Sequence, residues 1–299
     1  MLLMDDLNVI NDMNILNALN EAVHVLKSCG CATPGLNAEV LLSACLKKDR
    51  THFHIDREQS LTENELQEFR RCIERRRSGE PVAYIVGKKE FWSLPFEVNK
   101  HVLVPRPETE ILVEEVLKVC SGMKTGNLRI LEIGTGCGAI SVSLAYELKN
   151  AQIIATDISQ EAIKVASRNS QFNNVANQIS FLWGNLFEPV SGKFDIIVSN
   201  PPYISREEYD RLPTEVRDFE PESALLAGAD GTAFHREIIK AGGIYLKPGG
   251  WTFMEIGAGQ KDRVEYMLNE SNLYDNIAFR DDYAGIERVA IARRVTTGG

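Results

Sequence analysis

No stretch of this 299-residue sequence approaches the roughly 20 apolar residues that a membrane-spanning helix needs. The opening Met1-Leu2-Leu3-Met4-Asp5-Asp6 carries acid where a signal peptide carries base, and no apolar run follows, so a cytoplasmic protein is expected. Cysteines are few and unpatterned. Cys29, Cys31, Cys45, Cys72, Cys120 and Cys137 match neither the spacing of a zinc pair nor a redox Cys-x-x-Cys, which leaves no legible metal centre and implies reduced thiols. An excess of positive charge is also lacking: the net charge of -9 argues against a protein that grips nucleic acid along its whole surface. Arg70-Arg71 followed by Arg75-Arg76-Arg77 is the local exception, and it reads as a solvated helix face. What is present is an ordinary globular composition, 44% hydrophobic and 25% charged, enough to bury a core without a disulfide or metal staple.

The first eighty residues carry helical periodicity. Ile15, Leu16, Leu19, Val23 and Leu26 recur at helix spacing before Gly30, a second helix runs from about Asn37 to Leu46, and a third opens at Thr62, with Glu65 completing a capping box. Residues 82–104 change character: Tyr84 to Val86, then Phe91, Trp92, Phe96 and Val98, then Val102 to Val104 read as short strands of a β-hairpin connector. A helix is expected near Pro107, with Glu108 and Glu110 in its first turn. From there the pattern alternates. Strands are expected at 129–133, 152–156, 179–182, 195–199, 251–256, 276–279 and 288–292, and helices at 139–148, 160–169 and 233–245. Alternation of this kind predicts an α/β, doubly wound, mostly parallel seven-stranded sheet covered on both faces, preceded by a small helical bundle.

Two segments carry chemistry. The apolar strand ending Glu132-Ile133 runs directly into Gly134-Thr135-Gly136-Cys137-Gly138, after which a helix begins. Glycines allow a sharp turn and a ligand lying against bare backbone, and the helix start presents N–H groups to it. Asp157 ends the next strand, 19 residues after Gly138 (157 − 138), where it can accept bonds from both ribose hydroxyls. The pairing fits a dinucleotide or S-adenosylmethionine, and Gly134-x-Gly136-x-x-Ala139 satisfies the looser dinucleotide fingerprint. Glu132 favours the second ligand: a carboxylate suits an ammonium and a sulfonium, and repels a pyrophosphate.

The second segment is Asn200-Pro201-Pro202-Tyr203, leaving the strand 195–199 at the same sheet edge. Asn200 offers a side-chain carbonyl, Pro201 a backbone carbonyl held extended by Pro202, and Tyr203 a flat face. Two acceptors and a flat face hold a planar –NH₂ group, with the nitrogen turned toward a methyl donor. An amide nitrogen is a poor nucleophile, so placement and desolvation must supply much of the acceleration, and no dedicated general base is evident.

Glu132 to Gly138 followed by Asn200 to Tyr203 resembles the class I S-adenosylmethionine methyltransferases that act on planar nitrogen, with a Rossmann-like methyltransferase fold. Three further segments narrow the resemblance to the HemK/PrmC family: Val104-Pro105-Arg106-Pro107-Glu108-Thr109-Glu110, the run from Phe219-Glu220-Pro221-Glu222 to Gly231, and the run from Tyr283-Ala284-Gly285 to Val289. It implies methylation of the side-chain amide of the glutamine in the Gly-Gly-Gln motif of class 1 peptide chain release factors, in translation termination, yielding S-adenosylhomocysteine. By resemblance Glu132, Gly134, Thr135, Gly136, Cys137, Gly138 and Asp157 bind the donor, with Asn200 reaching both donor and amide. Asn200, Pro201 and Tyr203 would be the catalytic residues, and with Pro202 they would form the substrate clamp. Many such enzymes carry an acid near the adenine after the third strand. Here the stretch reads Trp183-Gly184-Asn185-Leu186-Phe187, so Asn185 would meet the adenine edge and Leu186 its face. Arg106 would border the cofactor pocket. Residues 1–80 would form the substrate-docking domain, 81–104 the hairpin linker and 105–299 the methyltransferase domain of a monomer without metal, membrane or direct nucleic-acid contact. The alternative is an adenine or guanine exocyclic-amine methyltransferase, since the same clamp holds a flipped base. An NAD-dependent oxidoreductase would need a proton donor, and His235, in a helical run, reads as an exposed or packing histidine. An adaptor that kept the fold and lost activity is disfavoured by the intact clamp.

Overall fold

The computed structural model describes residues 13–123 and 127–296; the acidic opening Met1 to Asp6 lies outside them. Two compact units meet the eye, one ending at Gly87 and one beginning at Lys88. In the first, helices Ile15–Ser28, Pro34–Leu46 and Glu63–Arg77 bury one stripe each, with Ile15, Leu26, Leu41, Leu42 and Phe69 at the centre. Thr62 and Glu65 form the capping box in both directions: Thr62 Oγ1 accepts from the Glu65 N–H, and Glu65 Oε2 accepts from the Thr62 N–H at 2.8 Å. The arginine run is a solvated face of paired charges. Arg70 meets Glu21, Arg75 meets Glu80 and Arg77 meets Glu74.

Tyr84 to Val86 are helical, not a strand: Val82–Val86 is one turn between Pro81 and a left-handed Gly87 at φ 75°. Valine and isoleucine favour strands locally, but Val82, Ile85 and Val86 sit at i, i+3 and i+4 and pack on the bundle core, and burial outweighs propensity. The hairpin proper is shorter than expected, β1 (Lys88–Phe91) and β2 (Leu94–Glu97). Its turn residues Trp92 and Ser93 both have positive φ, 53° and 55°, the conformation a two-residue hairpin loop of right-handed twist requires. The Trp92 N–H donates to Glu110 Oε1 at 2.7 Å, which holds that strained turn in place. Residues 102–104 are not a strand either. Val102 and Val104 are buried, yet the Val104 N–H donates to the Glu220 carboxylate at 3.2 Å, so a side chain takes the place of a neighbouring strand.

Seven strands follow: β3 (Arg129–Ile133), β4 (Gln152–Asp157), β5 (Ile179–Trp183), β6 (Phe194–Ser199), β7 (Leu246–Glu255), β8 (Tyr274–Asp281) and β9 (Glu287–Arg294). They form one sheet in the order β5-β4-β3-β6-β7-β9-β8, parallel from β5 to β7, with β9 antiparallel to both neighbours. Helix Thr109–Gly122 leads into β3, and helices Ala139–Glu147, Gln160–Phe172 and Ala233–Tyr245 lie in the connections between the strands. A further helix, Lys261–Glu270, fills the interval that the sequence pattern leaves unassigned; its buried stripe is only Val264 and Leu268. Leu131, Ile133, Ile197, Met254 and Ile256 pack with Ile238, Ile239, Val264 and Leu268 into a single core.

Asn169, 1% exposed, ties the hairpin to the loop after β3. Its Nδ2 donates to the Cys137 carbonyl at 2.8 Å and the Glu97 carbonyl at 3.0 Å, and its Oδ1 accepts from the Glu97 N–H at 2.7 Å. Replacing it leaves buried backbone groups unpaired, so Asn169→Leu is expected to cost about 3 kcal/mol in chemical denaturation. The neighbouring Arg168–Glu97 ion pair is roughly half-exposed, and Arg168→Ala should cost only about 0.5 kcal/mol. Equal losses for the two variants would overturn this account.

Candidate active site

The chain leaves β3 toward β4 and β5 on one side and returns to β6 on the other, so the loops after β3 and β6 diverge and open a crevice at their carboxyl ends. Ile133 lies opposite Ser199, whose hydroxyl donates to the Ile133 carbonyl at 2.8 Å. Gly134 and Asn200 therefore begin side by side.

The N–H groups of Gly134 and Thr135 both donate to the Thr156 carbonyl at 2.9 Å, folding the loop over the end of β4. Gly134 and Gly136 are left-handed, at φ 75° and 55°. A Cβ on either would meet no atom within 4 Å, so conformation, not crowding, demands glycine. Gly138 is left-handed too, at φ 83°. It is absent from the cavity wall, and a Cβ there would stand 3.1 Å from the Ala166 Cβ, so it serves the packing of helix Ala139–Glu147 on Gln160–Phe172.

Glu132 is 1% exposed. Its Oε2 accepts from the Thr135 hydroxyl at 2.6 Å, while Oε1 has no partner among the described residues. Burial, opposed by the hydroxyl bonds, pushes this carboxyl up to about 7. Asp157 accepts from the Gly136 N–H at Oδ2 and the Ser159 N–H at Oδ1, both at 2.8 Å. Burial raises it, and the two N–H groups counter that. Burial pushes the Cys137 thiol up to about 12, so it is a neutral wall of the site. Leu186 holds a left-handed φ of 47°, rare for a residue with a Cβ, and its carbonyl accepts from the Thr156 hydroxyl at 3.1 Å. Asn185 beside it is exposed, with its amide 3.4 Å from Glu188.

Glu132, Gly134, Thr135, Gly136, Cys137, Asp157, Asn185, Leu186, Asn200, Pro201 and Pro202 line one cavity of about 270 Å³. Tyr203 does not. Its hydroxyl turns to Glu255 Oε1 at 3.3 Å and its carbonyl accepts from Gln260 Nε2 at 2.8 Å, while Phe234 supplies an aromatic ring on the wall. Arg106 is not on the wall either. It pairs with the buried Glu220 at 2.6 Å, which sets Pro105 and Pro221 against the cavity. His235 is fully buried and donates from Nε2 to the Glu255 carbonyl at 2.8 Å, a packing histidine.

Sequence reasoning missed the support of the clamp. Asn200 Nδ2 donates to Thr109 Oγ1 at 3.1 Å, and the Thr109 hydroxyl donates to Glu255 Oε2 at 2.7 Å. Glu255 is 1% exposed, and burial pushes it up to about 7. The signal was an acid interrupting the otherwise apolar end of β7, the same signal that marks Glu132 in β3. With Asn200 Nδ2 occupied, Asn200 Oδ1 and the Pro201 carbonyl, neither accepting a hydrogen bond from another described residue, are the free acceptors beside the glycine loop. Such a site can hold a cationic, ribose-bearing ligand on one wall and a donor-rich –NH₂ group on the other. Among the described residues, no cluster of three or more histidine, cysteine or acidic groups is placed to hold a metal.

Residues 17–87 match the PrmC N-terminal domain, and residues 108–215 match the methyltransferase small domain. The chain is 38% identical over 282 residues to a release factor glutamine methyltransferase of Fusobacterium nucleatum, spanning 93% of this chain and 78% of that one. It is 38% identical over 285 residues to one of Aliivibrio fischeri, spanning 95% and 98%. A methyltransferase structure from Pyrococcus furiosus matches with a TM-score of 0.50 at 21% identity over 68% of this chain and 89% of that one, a likeness of fold alone. On this identity across nearly the whole length of such relatives, the chain belongs to the release factor glutamine methyltransferase family.

Proposed function

We infer that this protein transfers a methyl group from S-adenosylmethionine to the side-chain amide nitrogen of the glutamine in the Gly-Gly-Gln motif of class 1 peptide chain release factors. The observation that carries the reading is the pair of free carbonyl acceptors, Asn200 Oδ1 and the Pro201 carbonyl, in residues that line the same cavity as the glycine loop.

The residues present suit the donor. A buried carboxylate oxygen without a partner, Glu132 Oε1, matches a cationic amino group, and Asp157 can accept from ribose hydroxyls at the end of β4. When bound, S-adenosylmethionine supplies an electrophilic methyl group. Asn200 and Pro201 accept the two N–H hydrogens of the glutamine amide and aim its nitrogen. As that nitrogen turns pyramidal its N–H groups become more acidic, so both acceptors bind more strongly in the transition state than in the ground state. The apolar remainder of the wall, including Pro202, Ile140, Leu103 and Phe234, keeps water from an amide whose lone pair is otherwise delocalised. We extend the proposal to the helical unit as the docking domain for the release factor, on the strength of its family match over residues 17–87. A cytoplasmic enzyme fits that substrate; among the described residues no helix is long and apolar enough to cross a membrane.

Mass spectrometry of a release factor incubated with protein and donor should show one added methyl group on the Gly-Gly-Gln glutamine. Asn200→Ala should lower transfer by at least about 10²-fold while donor affinity stays within about threefold. Methylation of nucleic acid and not of the release factor would overturn the substrate assignment, and loss of donor binding would overturn the role of Asn200.

A pH effect follows from Glu132. Its carboxyl sits at about 7, and a cationic ligand binds the ionised form, so affinity for S-adenosylmethionine should rise with pH until that group has ionised. Calorimetry between pH 5.5 and 7 should show about a tenfold gain with proton release at the low end, and Glu132→Gln should flatten the profile. A flat wild-type profile would remove Glu132 from the donor site.

A further inference from the structure

We propose that Thr109 and Glu255 are positioning residues that set the sense of the Asn200 carboxamide. The inference rests on the clamp reading above and adds the reason why the clamp presents an oxygen.

A carboxamide has two nearly isosteric ends of opposite character, one a double donor and one an acceptor. Turned the wrong way, Asn200 would present N–H groups to an incoming –NH₂ and repel it. Shape alone does not choose between the two, so the choice must come from the groups behind the side chain. The structure holds them in a directed chain. A carboxylate only accepts, so the single proton of the Thr109 hydroxyl, 2.7 Å from Glu255 Oε2, is committed to Glu255. Thr109 Oγ1 can then only accept from Asn200, and the Asn200 end that faces it, at 3.1 Å, must be Nδ2. Oδ1 is thereby left to the cavity. The other oxygen of the same carboxylate accepts from the Tyr203 hydroxyl at 3.3 Å, so one acid anchors both ends of the Asn200–Tyr203 segment.

Burial gives the chain its rigidity. Thr109 is 3% exposed and Glu255 1%, so water does not compete for these bonds. Glu255 closes β7, the neighbour of β6, with Glu255 one step beyond the Ser199↔Met254 pair, and Thr109 opens the helix Thr109–Gly122. Three separate elements thus converge on one side chain. This also accounts for Tyr203 leaving the cavity wall: its hydroxyl is drawn to Glu255.

The test uses the full-length protein and a release factor, with kinetics at pH 8, where the Glu255 carboxyl is largely ionised. Wild-type methylation of the Gly-Gly-Gln glutamine is the control, and its absence would refute the functional reading, not this one. With that control met, Thr109→Val is expected to lower kcat by about 10²-fold, with S-adenosylhomocysteine affinity near wild type. Thr109→Ser, which restores the hydroxyl, should recover most of the loss. Because Thr109 acts through Asn200, Thr109→Val placed on Asn200→Ala should cost less than about threefold more. A binding readout completes the test. The extra affinity that a Gly-Gly-Gln release factor shows over its Gly-Gly-Ala variant should shrink in Thr109→Val, and should survive in Thr109→Ser. A Thr109→Val enzyme as fast as wild type, or losses that add fully to that of Asn200→Ala, would overturn the proposal.

Discussion

Strands β3 and β6 lie side by side in parallel register although β4 and β5 separate them in the chain, and the site depends on that pairing. Because Ile133 stands opposite Ser199, the glycine loop and the Asn-Pro-Pro-Tyr loop emerge from adjacent points and then diverge. A slip of one residue along either strand would turn its side chains to the opposite face and move Glu132 or the clamp out of the crevice. The buried bond from the Ser199 hydroxyl to the Ile133 carbonyl, and the two N–H bonds from Gly134 and Thr135 to Thr156, lock three strand ends into one arrangement.

Around this crevice the fold gathers buried acids at a price in desolvation. Glu132, Asp157, Glu220 and Glu255 are each raised by burial, and each is partly compensated in a different way. Asp157 has two backbone N–H groups, Glu220 has Arg106 and the Val104 N–H, and Glu255 has two hydroxyls. Glu132 is the least satisfied, with one oxygen bonded to Thr135 and the other without a partner. Buried polar atoms are ordinarily paired, so an unpaired one beside a cavity points to a ligand group that completes it. The differences sort the acids by task. Glu220 fixes loop geometry, Glu255 orients a side chain, and Glu132 and Asp157 face the ligand space.

Much of the sheet was legible because its central parallel strands are buried on both faces and read as apolar runs closed by glycine, aspartate or asparagine. The periodic signal failed where tertiary burial overrode it. Tyr84 to Val86 have strand propensity, but three of the residues between Pro81 and Gly87 find a core at helical spacing. Val102 to Val104 are as apolar as a strand, yet a carboxylate 116 positions away takes the place of a pairing strand. Helix Lys261–Glu270 escaped notice because its buried stripe is two residues wide in an otherwise polar stretch. In the site, Gly138 and Tyr203 stand off the cavity wall, where Gly138 packs near Ala166 and the Tyr203 hydroxyl meets Glu255, contacts that no local pattern foretells.

By itself, the sequence determined the α/β class, the position of the glycine turn, and the presence of an acid and an Asn-Pro-Pro-Tyr segment at strand ends. These follow from local chemistry: backbone freedom at glycine, fixed geometry at proline and the two-residue period of a strand. Only the tertiary structure decided that Thr109 and Glu255 stand behind Asn200, that Arg106 serves Glu220, and which oxygen of Glu132 is left unpaired. The pairings of Thr109, Glu255, Asn200 and Arg106 span from 91 to 146 positions along the chain, and none is set by its neighbours in sequence. They arise where three or four elements close on a dry volume and most buried donors and acceptors find a partner there.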